Sequence, residues 1–208
     1  MKSALILLAG GTGTRANSNT PKQFVEVNNT AIFIYSILPF LSFVKYIVIV
    51  VHNDYVNFAK KAIEKANIPK KVFFARGGNT GLNSAKNGFN ELVINNLSVD
   101  YVFIHDAARP FVDKETILPC VGVAKNNKYS FSASELVESV FDSNNNVIKK
   151  DGLFKIMSPH CFEISFLKGL LEQNKFSNEL TVFNLMMSQK YPVVLSKTTE
   201  KNFKITSQ

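Results

Sequence analysis

Residues 4–8 form an unbroken apolar run, and a glycine-rich loop follows it at once. Further apolar runs lie at 47–51, 72–75 and 101–104, each short enough to be a strand. Between them, apolar residues recur at helical spacing over 32–41, 55–66 and 85–97. A strand that is apolar at every position, rather than at alternate ones, is buried on both faces. Such strands alternating with helices predict an α/β domain with a Rossmann-like, mostly parallel sheet and helices on both faces.

The pattern changes after Pro110. Residues 114–125 read as a helix, 129–140 as alternating β structure, and 143–146 as a polar turn. Together they predict a hairpin-like excursion, an arm, set within one domain spanning 1–208. Residues 163–172 and 181–188 read as helices, and 193–195 and 203–205 as strands. No internal repeat or linker divides the chain. With 208 residues, 46% of them apolar, it can bury a full core.

The longest apolar stretch, 31–51, is interrupted by Ser36, Pro39, Ser42 and Lys45, so it does not read as a membrane span. The run at the N-terminus is too short for a signal-peptide core, which makes a cytoplasmic chain without membrane contact the expectation. Cys120 and Cys161 have no partner at metal-ligand spacing and read as buried thiols. The net charge of +8 raises the question of nucleic acid. However, 21 of the 24 cations are lysines scattered as singles and pairs, a pattern that suits a solvated surface and a small anionic substrate better than a nucleic-acid groove.

Chemistry concentrates in three segments. The first, Leu8-Ala9-Gly10-Gly11-Thr12-Gly13-Thr14-Arg15, follows the first strand. Its glycines let the backbone approach an anion and turn N–H groups toward phosphate oxygens. Gly11-x-Gly13-x-x-Ala16 also matches a dinucleotide fingerprint, so a nicotinamide or flavin protein is a competing reading. Against it, no acidic residue stands about 20 positions on to hold a ribose. Arg15 and Lys22 also place two cations beside the loop, as a triphosphate requires. A glycine turn without a ligand is the plainer alternative.

The second segment, Pro21-Lys22-Gln23-Phe24, presents Lys22 on a restricted backbone. The third, His105-Asp106-Ala107-Ala108-Arg109-Pro110-Phe111, begins at the end of the fourth strand, where open α/β sheets bind ligands. Asp106 there is a candidate Mg²⁺ ligand, or else a turn residue paired with Arg109.

In order and spacing these segments resemble the CTP-dependent cytidylyltransferases acting on polyol phosphates, either 2-C-methyl-D-erythritol 4-phosphate or ribitol 5-phosphate. The resemblance implies CTP and a polyol phosphate as substrates, Mg²⁺ or another divalent cation as cofactor, a single nucleotidyltransferase domain over 1–208, and a homodimer formed through a β arm over about 135–158. It assigns catalytic roles to Arg15, Lys22, Lys150 and Lys204, the last in an Asn-x-Lys-x-Thr segment. It assigns the nucleotide to Leu8, Ala9, Gly10, Gly11, Gly13, Gly77, Gly78, Asn79 and Ser84. It gives substrate contacts to Asp106, Arg109 and Ser139, with Asp106 also the metal ligand.

The chain departs from the family pattern at several positions. Gly81 stands where an arginine is usual, Lys150 replaces an arginine, and Glu138-Ser139, Ser158-Pro159-His160 and Ser177-Asn178-Glu179 replace Asp-Thr, Thr-Pro-Gln and Thr-Asp-Glu. Most of these changes fall on the acceptor half of the site. A nucleotide-binding homologue without catalysis is therefore the alternative from another class.

Overall fold

The computed structural model describes residues 2–11, 20–173 and 179–206. Its elements begin with β1 (Ser3–Ala9), β2 (Glu26–Val27), β3 (Thr30–Ala31), α1 (Ile32–Ile37), β4 (Tyr46–Val51), α2 (Val56–Lys65), β5 (Lys71–Arg76), α3 (Gly81–Ile94) and β6 (Tyr101–Asp106). They continue with α4 (Lys114–Asn127), β7 (Tyr129–Glu135), β8 (Val140–Phe141), β9 (Val147–Ile148), β10 (Phe154–Glu163), α5 (Ile164–Leu171), α6 (Val182–Ser188) and β11 (Leu195–Lys197).

Successive side chains of a strand point to opposite faces, and here each face has its own core. Leu5, Leu7 and Ala9 of β1 join Ile47, Ile49 and Val51 of β4 and the buried side of α4 on one face. Ala4 and Ile6 join Val48 and Val50 on the other, where α3 contributes Leu82, Ala85, Phe89 and Leu92. That is why β1 and β4 lack polar interruptions. Gly88 of α3 lies so close to β1 that an added Cβ would sit 2.5 Å from Ile6 Cγ2.

The seven-stranded sheet runs β11-β7-β10-β6-β1-β4-β5. The pairs β6/β1, β1/β4, β4/β5 and β7/β11 are parallel, whereas β10 runs antiparallel to both β6 and β7. The α/β class with a mostly parallel sheet is therefore as expected. The ten-residue strand β10, which carries Pro159 inside it, is not foreseen. The sheet absorbs the proline at a register shift between Met157 and His160, where no ladder N–H is required of it.

Other expectations are corrected. The helix expected over 32–41 ends at Ile37 and tightens into a 3-10 turn at Leu38–Phe40, which contains Pro39. The helix expected from 85 starts at Gly81, where the Thr80 hydroxyl accepts the Asn83 N–H at 3.0 Å. The strand expected over 129–140 stops at Glu135. Its serines are buried as deeply as its aromatics because β7 is covered on both faces. The strand expected over 203–205 is absent: that segment makes one backbone bond to the body of the chain, from Ile205 N–H to the Ala108 carbonyl.

Within the segment expected as an arm, β8 pairs with β9 as a two-stranded hairpin separate from the main sheet. Asp142 holds its turn by accepting the N–H groups of Asn144 and Asn146. Among the described residues no helix is long and apolar enough to cross a membrane.

Candidate active site

The carboxyl ends of β1, β4, β5 and β6 open onto one cavity of about 760 Å³. Its floor is bare backbone. A Cβ on Gly10 would lie 3.1 Å from the Gly77 Cα, so the segments after β1 and β5 pack more closely than a side chain at either residue readily allows. Gly77 N–H donates to the Val51 carbonyl at 2.9 Å, and Gly78 N–H to the Ser84 hydroxyl at 3.0 Å.

Lys22–Phe24 forms a 3-10 turn at one side of this floor. Gln23 is buried, and its Nε2 donates to the carbonyls of Ala9 at 2.8 Å and Gly11 at 2.7 Å. Phe24 stacks on Tyr55, with ring centroids 4.7 Å apart. These two anchors hold the turn against the glycine loop and leave Lys22 lining the cavity, its Nζ 3.4 Å from the Thr206 carbonyl.

Asp106 ends β6. Its Oδ2 accepts from Arg109 Nε at 2.9 Å, and its Oδ1 lies 3.3 Å from Lys204 Nζ. Burial alone would raise its pKa, but the charges of Lys204 and Arg109 outweigh that and hold the carboxyl well below the usual carboxylate range. The same arginine binds the C-terminal segment: its Nη1 donates to the Asn202 carbonyl at 2.9 Å. Asn202 is fully buried and donates from Nδ2 to the Ser158 carbonyl at 2.6 Å. Residues 202–206 thus form a strap tied at Asn202 and Ile205, with Lys204 between the ties.

Below the carboxylate lies His105, fully buried. Ser158 Oγ accepts the Asp106 N–H at 3.0 Å, so its own hydroxyl donates to His105 Nδ1, also at 3.0 Å. The ring's proton is thereby assigned to Nε2, which faces the Arg109 carbonyl at 3.3 Å. Burial lowers the pKa of His105 to about 3, so the ring stays neutral.

Of the residues nominated from sequence, Leu8, Gly10, Gly11, Lys22, Gly77, Gly78, Asn79, Ser84, Asp106 and Lys204 line the cavity. Ala9 lies buried behind it and offers its carbonyl to Gln23. Arg109 is buried and acts on the site through Asp106. Asp106 faces the cavity and pairs with Arg109, the plainer of its two readings. Lys150 and Ser139 do not join this group. They lie on the arm, where Lys150 Nζ donates to the Val137 carbonyl at 2.5 Å. Gly13 and Arg15 lie outside the described residues, as do Ser177 and Asn178. The structure adds His52, Arg76, Thr80 and Thr206 to the lining. His52 and Arg76 stand at or just past the ends of β4 and β5, the positions where a parallel sheet presents residues to ligand.

The family described as "IspD: 2-C-methyl-D-erythritol 4-phosphate cytidylyltransferase" matches residues 3–208. The chain belongs to the IspD family. A 2-C-methyl-D-erythritol 4-phosphate cytidylyltransferase of Thermosipho africanus is 31% identical over 212 residues, spanning 97% of this chain and 92% of that protein. One from Bacteroides thetaiotaomicron is 28% identical and spans 100% of this chain and 95% of that protein. The solved structure of 4-diphosphocytidyl-2C-methyl-D-erythritol synthase from Anaerococcus prevotii has the same fold, with a TM-score of 0.80 at 20% identity over 100% of this chain and 93% of that one.

IspD proteins are nucleotidyltransferases, and membership replaces the dinucleotide reading of the glycine loop. A glycine floor lined also by Lys22 and the Asp106–Lys204 pair is suited to a polyanionic nucleotide.

Proposed function

We propose that this IspD-family chain transfers the cytidylyl group of CTP to 2-C-methyl-D-erythritol 4-phosphate. The carrying observation is the meeting of Lys22, Asp106 and Lys204 around one glycine-floored cavity in a chain of this family. An oxygen of the acceptor phosphate attacks the α-phosphorus in line. The bond from that phosphorus to the bridging oxygen breaks, and pyrophosphate leaves with the electron pair. The acceptor phosphate is already ionised near neutral pH, so no strong base is required. Positioning and charge stabilisation supply most of the rate.

The glycine backbone holds the triphosphate, Lys22 offsets charge on the phosphoryl group in transfer, and Lys204, fixed on Asp106, orients the acceptor phosphate. Arg15 joins Lys22 in this role through the resemblance. Arg15→Ala is expected to slow turnover by about 10²- to 10³-fold, the usual effect of losing one preorganised donor.

Among the described residues no cluster of three His, Cys, Asp or Glu side chains could cage a metal. Mg²⁺ does not need one, since it binds through one or two carboxylates, phosphates and water. Asp106 fits as that single ligand: it is ionised, and each of its oxygens keeps a lone pair beyond its cation contact. Bound there with the phosphates, the ion would stabilise charge on the departing pyrophosphate.

The arm supports a homodimer. Val137, Phe141 and Val147 are exposed on it, and Lys150 and Ser139 do not line the cavity at the ends of β1, β4, β5 and β6. In the dimer they would reach the acceptor site of the second copy. Light scattering is expected to give twice the chain mass, and a fully active monomer would contradict the arrangement.

The deciding experiment incubates the protein with CTP, Mg²⁺ and both 2-C-methyl-D-erythritol 4-phosphate and ribitol 5-phosphate, and identifies the product by mass spectrometry. The methylerythritol product is expected. The ribitol product would reassign the acceptor, and binding of CTP without pyrophosphate release would mark a homologue that has lost catalysis.

A further inference from the structure

Arg76 closes β5, at the edge of the sheet, and lines the cavity. The ladders set it level with the other site residues: it pairs with Val51, Val51 with Ala9, and Leu8 with Asp106. Strands β5 and β6 are three steps apart in the sheet, which at about 4.8 Å per step separates Arg76 from Asp106 by roughly 14 Å. They therefore stand at opposite ends of one crevice, with the glycine floor between them.

The backbone at this end is fixed. The Arg76 carbonyl accepts from Asn87 Nδ2 at 2.8 Å, and the next residue's N–H is held by Val51. Helix α3 supplies no cation here. Its first residue is Gly81, where a Cβ would lie 3.1 Å from the Leu180 carbonyl oxygen, and that oxygen already accepts the Leu82 N–H. Among the described residues the lysines and arginines lining the cavity are Lys22, Arg76 and Lys204, and Arg76 is the one on the β5 side.

Resting on the reading of the cavity as a CTP site, we infer that Arg76 binds the nucleoside end of the nucleotide. With the phosphates between the glycine floor, Lys22 and Lys204, the ribose and base extend toward Gly77, Asn79 and Ser84, beside Arg76. A guanidinium there offers several donors in a fixed fork to ribose hydroxyls and to the carbonyl and ring nitrogen of the base. Arg76 is a nucleotide-binding residue and leaves the acceptor alone.

The test compares wild type, Arg76→Ala and Arg76→Lys by steady-state kinetics, and by calorimetric titration with CTP, CMP and pyrophosphate. Arg76→Ala is expected to raise the KM for CTP and the Kd for CMP by about 10- to 100-fold, as for loss of hydrogen bonds from a charged group. The KM for the acceptor and the Kd for pyrophosphate should change by less than about twofold, and Arg76→Lys should recover part of the loss. Unchanged CMP binding in Arg76→Ala would overturn the inference, as would a loss seen with pyrophosphate and absent with CMP. A wild type that binds CTP but turns over neither acceptor would defeat the proposed reaction alone, since the CMP and pyrophosphate titrations would still decide the role of Arg76.

Discussion

Lys204 meets Asp106 at 3.3 Å on the side of the carboxylate that Arg109 leaves open. One anion thus holds two cations, Arg109 buried and structural, Lys204 facing the cavity. Lys204→Met should lower kcat by about 10²- to 10³-fold in a pyrophosphate-release assay. It also removes a charge that depresses the Asp106 pKa, so the acid limb of the pH–rate profile should move to higher pH. An unmoved acid limb would separate Lys204 from Asp106 in function.

Gln23 fastens the Lys22 turn to the glycine loop through two carbonyls. Gln23→Ala leaves the Ala9 carbonyl buried without that donor and should cost about 1–3 kcal/mol, read as a lower Tm. Because the loop loosens where it meets the phosphates, the KM for CTP should also rise, by about tenfold. The acceptor KM should hold, which distinguishes loop positioning from general unfolding.

The buried imidazole of His105 makes stability depend on pH. Its native pKa is about 3 against a usual 6.5, so between those values the unfolded chain binds a proton that the folded chain refuses. Stability therefore falls as pH drops below about 6.5, by up to about 1.4 kcal/mol per pH unit for this group. His160, lowered to about 4 by burial, adds to the same slope. Asp106, also depressed, loses its contribution only further down, below the usual carboxylate range. Urea midpoints between pH 4.5 and 7 should show the decline, and His105→Asn should flatten it.

Gly88 is where α3 lies closest to the sheet. An alanine there would place its Cβ 2.5 Å from Ile6 Cγ2 and 2.8 Å from Val50 Cγ2, both in a closed core. Overpacking of this kind costs about 1–3 kcal/mol. For a chain of this length Tm should fall by about 2–4 °C per kcal/mol, measured by calorimetry.

The parallel half of the fold was legible because burial on both faces writes itself as unbroken apolar runs, as in β1 and β4. Strand β10 was not, since a proline in a strand is tolerated only at an irregularity that local sequence does not announce. Residues 203–205 have the aromatic and β-branched composition of a strand, yet Asn202, Arg109 and Lys204 secure the segment by side chains instead of a ladder.

The site was legible where chemistry clusters along the chain, as in the glycine loop, Lys22 and Asp106. His52 was missed because it stands alone in sequence, and Arg76 because it adjoins the nominated Gly77-Gly78 pair without being part of it; both reach the cavity at strand ends. Their signal was positional: the residue ending or following an apolar run, one strand along from a known site strand. Lys150 and Ser139 show the converse, being nominated by motif and placed by the fold on the arm, away from their own cavity.

The contact between Gly10 and Gly77 binds the fates of two distant codons. Each residue is the other's clearance: a side chain on either would bring its Cβ to within 3.1–3.2 Å of the other's Cα, and the facing segment would have to give by a few tenths of an ångström. The floor of the cavity thus ties together two segments remote in sequence, whereas its wall at Arg76 is an exposed strand end.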